Sequence, residues 1–191
     1  ASNLTGLLLP LADRNLILPN VAVAELIDYQ QPGTFDLDTP PWYLGLVTWR
    51  DRQIPLLSFE SACGQKIVIG ERARIVILNA LGGRPELKFI ALLVQGIPRS
   101  CKLDSQLSYV DVPLCALEQA AVQVGEQVAK VPDLLALEGL LVERDEDGEV
   151  SGGYLVGQVG GDMNMLGSAL ERVLPLLGEE HHGGRGELLA Y

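Results

Sequence analysis

From Leu7 to Leu141 the chain is cut into short apolar runs, each ended by a turn signal, at spacings of about 8–12 residues. No unit of strand followed by long helix repeats along it, so the pattern predicts a β-sandwich or β-barrel rather than an alternating α/β fold. "LLLPL" (Leu7–Leu11), the polar turn Ala12-Asp13-Arg14-Asn15 and "LILP" (Leu16–Pro19) make a hairpin with a longer loop. "YLGLVTW" and "RQIPLLSF" are two β-rich runs either side of an Arg50-Asp51 tip. "RIVILNA" (Arg74–Ala80) and "LKFIALLV" (Leu87–Val94) flank "LGGRPE" and form another hairpin. These last runs are largely apolar, which predicts strands covered on both faces.

Between and after the hairpins the signals are mixed. "NVAVAELIDY" suits a strand at Val21 and Val23 and tolerates a helical turn over Ala22–Leu26; it is read as a short turn running into a strand. Residues 30–41 hold three prolines and a glycine and form a surface loop. "CALEQAAV" is read as one helical turn, followed by a strand, a Gly125-Glu126 turn and a second strand. Pro132–Glu138 opens a short helix with Pro and Asp in its first turn. The organisation expected is a body over 1–142, an acidic, Gly-rich linker over 143–162, an amphipathic helix over 163–178 carrying Met163, Leu166, Leu170, Val173, Leu174 and Leu177, and a disordered end over 179–191. Gly167 and Pro175 weaken that helix, and the extension reads equally as a packed helix, a partner-binding arm or a disordered segment.

Charge and chemistry narrow the function. Of the net −11, residues 143–191 supply 10 acidic and 3 basic side chains and residues 1–142 supply 15 and 11, so the body is only mildly negative. Neither part offers the basic stripe that neutralises phosphate, so nucleic acid and anionic membrane surfaces are not expected partners. No apolar run nears the roughly 20 residues that cross a bilayer, and the first residues lack the basic region of a signal peptide, so a cytoplasmic protein is expected. Cys63, Cys101 and Cys115 are odd in number and show no C-x-x-C spacing, which argues against a disulfide framework and a zinc site and for small core residues in a reducing compartment.

Both histidines, His181 and His182, lie in the last segment, so the body lacks Ser-His and Cys-His catalysis and histidine-based metal sites. "GGRPE" and "VGQVGGD" fit neither a Walker A loop nor a dinucleotide fingerprint. The expectation is a protein without catalytic activity or cofactor. What remains is surface: Trp42, Tyr43 and Trp49 fall within eight residues, beside Arg50 and Arg52, in a chain with 5% aromatics. Trp and Arg are enriched at interface hot spots; the alternative is a Trp capping the core beside a solvated turn.

The order of these signals resembles the CheW-like domain of bacterial chemotaxis coupling proteins over residues 5–142. The residues that carry it are "LILPNVAVAELI", with Val23, Glu25 and Leu26, and "PWYLGLVTWRDRQIPLLSF", with Pro41, Tyr43, Gly45, Arg50 and Pro55 at the family's spacing. "IALLVQGIPRSCKL" and "VPDLLALEGLL" follow in the family's order, the first with Gln95 in place of Asp. The block departs from the family at Thr48 and Trp49 (usually Asn-Leu), at Asp51 (usually Gly) and at Ser58-Phe59 (usually Asp-Leu).

The resemblance implies a mostly β fold of two SH3-like five-stranded β-barrels with short helices and a C-terminal extension. It implies an adaptor that binds the cytoplasmic tip of a chemoreceptor and the regulatory domain of a CheA-type histidine kinase. On that resemblance Glu25, Gly45 and Arg50 are partner-binding residues; Trp49 and Asp51, which depart from the family, are added to them as the positions expected to tune partner choice, and the departures suggest a variant from a pathway controlling type IV pili and twitching. The alternative is a general SH3-like interaction module outside chemotaxis.

Overall fold

The computed structural model describes residues 5–33, 39–103 and 107–142. The linker, helix and end expected over 143–191 lie outside the described residues. Strands β1 (Thr5–Pro10), β2 (Asn15–Pro19), β3 (Val23–Asp28), β4 (Tyr43–Trp49), β5 (Arg52–Leu57), β6 (Arg74–Asn79), β7 (Phe89–Val94), β8 (Arg99–Lys102), β9 (Ser108–Tyr109), β10 (Glu118–Val124) and β11 (Gln127–Pro132) form two sheets. One is five-stranded in the order β3-β6-β7-β5-β4; the other is six-stranded in the order β8-β1-β2-β11-β10-β9. The first two and last four strands thus build one sheet, and the five between them build the other. Among the described residues the fold is mostly β with two short α-helices, α1 (Phe59–Ala62) and α2 (Leu134–Gly139).

Strict side-chain alternation explains why the strand sequences are apolar on both faces. On β6, Ile75 and Ile77 fill the core of the five-stranded sheet, while Val76 and Leu78 point into a core shared with the six-stranded sheet. On β7, Ala91 and Leu93 take the first direction and Ile90, Leu92 and Val94 the second. In the hairpin β1–β2, Leu8 and Ile17 fill the core of the six-stranded sheet, and Leu9, Leu16 and Leu18 face the shared core. Three apolar layers result, and the middle one locks the two sheets together.

The expected hairpins β1–β2, β4–β5, β6–β7 and β10–β11 all form. The segment from Asn20 is a 3-10 turn (Asn20–Ala22) running into β3, as read from the sequence. Asp133 caps α2, its side chain accepting from Ala136 N. Two local readings are corrected. "CALEQAAV" is a turn that enters β10 at Glu118, because Ala120, Ala121 and Val122 are needed as a buried strand. The run Arg52–Phe59 is not strand to its end: Ser58 Oγ accepts from Ser61 N at 3.1 Å and starts α1, whose Phe59 is fully buried in the shared core.

A third correction concerns the cysteines. Cys63 and Cys115 form a disulfide across 52 positions of sequence, and neither is fully buried; Cys101 is a free thiol on β8. Chain spacing carries no information about a contact made by tertiary packing, which brings the end of α1 against the loop before β10. The disulfide also removes the sequence argument for a reducing compartment. No helix among the described residues is long and apolar enough to cross a membrane.

Three buried carboxylates pin loops to this frame; Glu60 on α1 accepts from Ala12 N at 2.9 Å in the β1–β2 turn. Glu138 on α2 accepts from Leu81 N (2.7 Å), Gly82 N (2.8 Å) and Arg84 Nη1 (2.9 Å). Burial, the largest influence, holds its carboxyl above the usual range against the pull of those donors. Glu118 at the start of β10 accepts from Arg14 Nη1 (2.8 Å), Lys130 Nζ (3.1 Å) and Cys115 N (2.9 Å). That network was not legible in the sequence, where Arg14 and Glu118 are 104 residues apart.

Candidate functional site

The hairpin β4–β5 pairs Trp49 with Arg52 and leaves Arg50-Asp51 as a two-residue tip. Both tip residues have positive φ, 50° at Arg50 and 62° at Asp51. Positive φ at both positions is the requirement of a type I′ turn, whose twist matches that of the flanking strands and which favours Asn-Gly. Arg-Asp is an unfavourable pair there. Asp51→Gly is therefore expected to raise stability by about 1 kcal/mol, the approximate cost of left-handed backbone at a residue with a Cβ. A denaturant midpoint that falls on this substitution would show that the Asp51 side chain makes a contact worth more than the strain.

The arginine at the tip is held on two sides. Its Nη2 donates to Glu25 Oε1 at 2.8 Å, and its guanidinium carbon lies 4.7 Å from the ring centroid of Trp49. Trp49 in turn packs edge-on against Phe89, with centroids 4.9 Å apart, and Arg52 lies 5.1 Å from the other aromatic centroid, that of Phe89. Tip and core are thus joined as a stack in which cations cover aromatic faces. Trp49 is 6% exposed, so Arg50 and not the indole ring presents the surface at the tip. Its indole Nε1 is buried and finds no acceptor among the described residues.

Glu25 reaches the tip because β3 carries an irregularity between Val23 and Glu25 in its pairing with β6. A bulge of this kind re-aims a side chain. Glu25 lies opposite Ile77 in the pairing with β6, and exposed Leu26, the next residue, lies on the other face of the strand. The ion pair itself is solvated, with Arg50 67% and Glu25 40% exposed, and contributes no more than about 1 kcal/mol to the fold.

Gly45, the fifth residue selected by sequence, has a different position. It sits in β4 at a register irregularity between Tyr43 and Gly45, with φ 124°. A Cβ there would overlap the carbonyl oxygen of Gly33. Gly33 N donates to Leu46 O at 2.9 Å, an isolated bridge that ties edge strand β4 to the segment following β3, the opposite edge strand of the five-stranded sheet, and so closes that sheet on itself. Gln30 extends the closure with its side-chain amide, Nε2 donating to Thr48 O and Oε1 accepting from Thr48 N. Of the five residues, Glu25, Trp49, Arg50 and Asp51 meet at the tip, and Gly45 permits the closure that holds their strand.

The sequence pattern that defines the CheW-like domain matches residues 5–139. The chain belongs to the CheW-like domain family. A solved structure, the scaffolding protein TtCheW from Thermoanaerobacter tengcongensis, superposes with a TM-score of 0.61 at 17% identity, covering 78% of this chain and 93% of that one. Among curated proteins no sequence match is found. The two-sheet CheW-like architecture expected from the sequence is present, with the two-residue β9 as an additional strand on one sheet.

Proposed function

We propose that this CheW-like chain is a non-catalytic adaptor of a bacterial chemosensory system. It couples the cytoplasmic tip of a chemoreceptor to the regulatory domain of a CheA-type histidine kinase, in the cytoplasm, within a pathway that controls type IV pili. The observation that carries the reading is the Arg50–Glu25 ion pair standing exposed on a strained hairpin tip. A solvated pair adds little to stability, so its geometry serves a surface rather than the fold. Glu25 and Trp49 fix the direction of Arg50, Asp51 shapes the turn, and Gly45 acts through the strand that carries the tip.

The reading is tested by capture of purified chemoreceptor and kinase fragments on the full chain. Arg50→Ala is expected to weaken capture roughly tenfold or more, the behaviour of an interface hot spot, while unfolding free energy changes by no more than about 1–2 kcal/mol. Unchanged capture by a folded Arg50→Ala protein would remove the tip from the interface. Failure of the unaltered chain to capture either fragment would favour an SH3-like interaction module outside chemotaxis. Glu25→Gln separates two roles for Arg50: a loss equal to that of Arg50→Ala identifies the internal brace as the essential part, and a smaller loss identifies direct contact between Arg50 and the partner.

A further inference from the structure

We propose that the Cys63–Cys115 disulfide is a reversible redox site, opened by a dithiol reductant through attack on Cys63. Four observations converge on it. The bond joins the end of α1, which follows the five-stranded sheet, to the loop entering β10 of the six-stranded sheet, so it is a covalent tie between the two halves of the fold. Both cysteines line an open cleft of about 560 Å³, so an attacking thiolate has a route to the sulfurs. Both cysteines are half-buried, and disulfides that a thiolate can reach are more readily reduced than those sealed in a core.

The two sulfurs also differ. Leu117 N donates to Cys115 Sγ at 3.3 Å, and a hydrogen bond of that kind favours the thiolate form. Cys115 is therefore the better leaving group, and Cys63 is the sulfur attacked. Finally, the Glu118 carboxylate lies within 4.8 Å of both sulfurs and would repel an incoming thiolate if unpaired, but Arg14 and Lys130 neutralise it. Both its oxygens are engaged by those donors and by Cys115 N, which disfavours its use as a metal ligand beside the two sulfurs.

The exchange balances in two steps. One thiolate of the dithiol bonds to Cys63 Sγ, the S–S bond breaks, and its electron pair passes to Cys115 Sγ, which then takes a proton from solvent. The second thiolate of the reductant attacks the mixed disulfide, releases Cys63 as a thiolate that is protonated in turn, and leaves as a cyclic disulfide. Two electrons and two protons reach the protein. A small-molecule disulfide oxidant reverses the sequence. Phe59 and Leu117 stay buried in the shared core on either side of the pair, so the sheets remain packed when the bond opens. Cys101 takes no part: it lies on β8 paired to Gly6, and burial raises its thiol pKa.

The test equilibrates the full chain in native buffer with graded ratios of reduced to oxidised dithiothreitol, alkylates the free thiols, and reads labelling by peptide mass while far-ultraviolet circular dichroism follows the fold. The expected result is one reversible transition in which Cys63 and Cys115 gain label together, Cys101 labelling stays constant and the spectrum is unchanged. Brief treatment with glutathione, a monothiol, should leave the mixed disulfide on Cys63. The proposal is overturned if the pair opens only once denaturant unfolds the chain, if glutathione is found mainly on Cys115, or if the pair stays unoxidised in every buffer and retains zinc.

Discussion

Cys63→Ser should lower the free energy of unfolding by about 4 kcal/mol, the loop-entropy value for a crosslink across 52 residues. The bond restricts the unfolded chain far more than the native one, where α1 and the loop before β10 are already held by the shared core. Cys115→Ser should give the same loss, and the double substitution should add almost nothing, because the entropy belongs to the pair and not to either sulfur. With total stabilities of single domains at roughly 5–15 kcal/mol, the variants are expected to stay folded at room temperature. Guanidinium unfolding of the oxidised chain and the three variants checks this. Losses that simply add would show two independent packing defects in place of a crosslink.

The second large effect lies at Gly45. Gly45→Ala places a Cβ on backbone with φ 124° and against the Gly33 carbonyl, which must move and strain the hydrogen bond from Gly33 N to Leu46 O. Backbone strain and the lost bond together are expected to cost about 3 kcal/mol. Gly33→Ala is the control on the other side of the same bridge: a Cβ there would meet only Leu46 O, at 3.9 Å, and the loss should stay within about 1 kcal/mol, since its backbone carries no positive φ. Comparable losses at the two positions would show that the closure itself is fragile and that Gly45 has no special conformational demand. If Gly45→Ala also weakens partner capture, the unfolding data assign that loss to the strand that carries the tip.

Much of the strand order was legible because alternation and turn chemistry are local. The runs 74–80 and 87–94 are apolar at consecutive positions, and burial on both faces is the arrangement that accounts for such strands; β6 and β7 indeed lie between two cores. The Arg50-Asp51 tip was legible because two residues between β-rich runs define a hairpin, although the positive φ at Arg50 required the register of Trp49 with Arg52. The α1 cap at Ser58 left a faint signal, a serine closing an apolar run, that a strand reading overrode.

The sequence by itself determined the fold class, the family and the cluster Trp49, Arg50 and Asp51, since periodicity, turn residues and motif spacing act over a few positions. Tertiary structure alone decided that Arg50 pairs with Glu25, 25 residues away, that Gly45 serves a barrel closure, that Arg14 and Lys130 neutralise Glu118, and that Cys63 meets Cys115. Each of these joins groups distant in the chain, and their meeting is fixed by how two sheets pack on a shared core, a geometry that no local pattern of residues encodes.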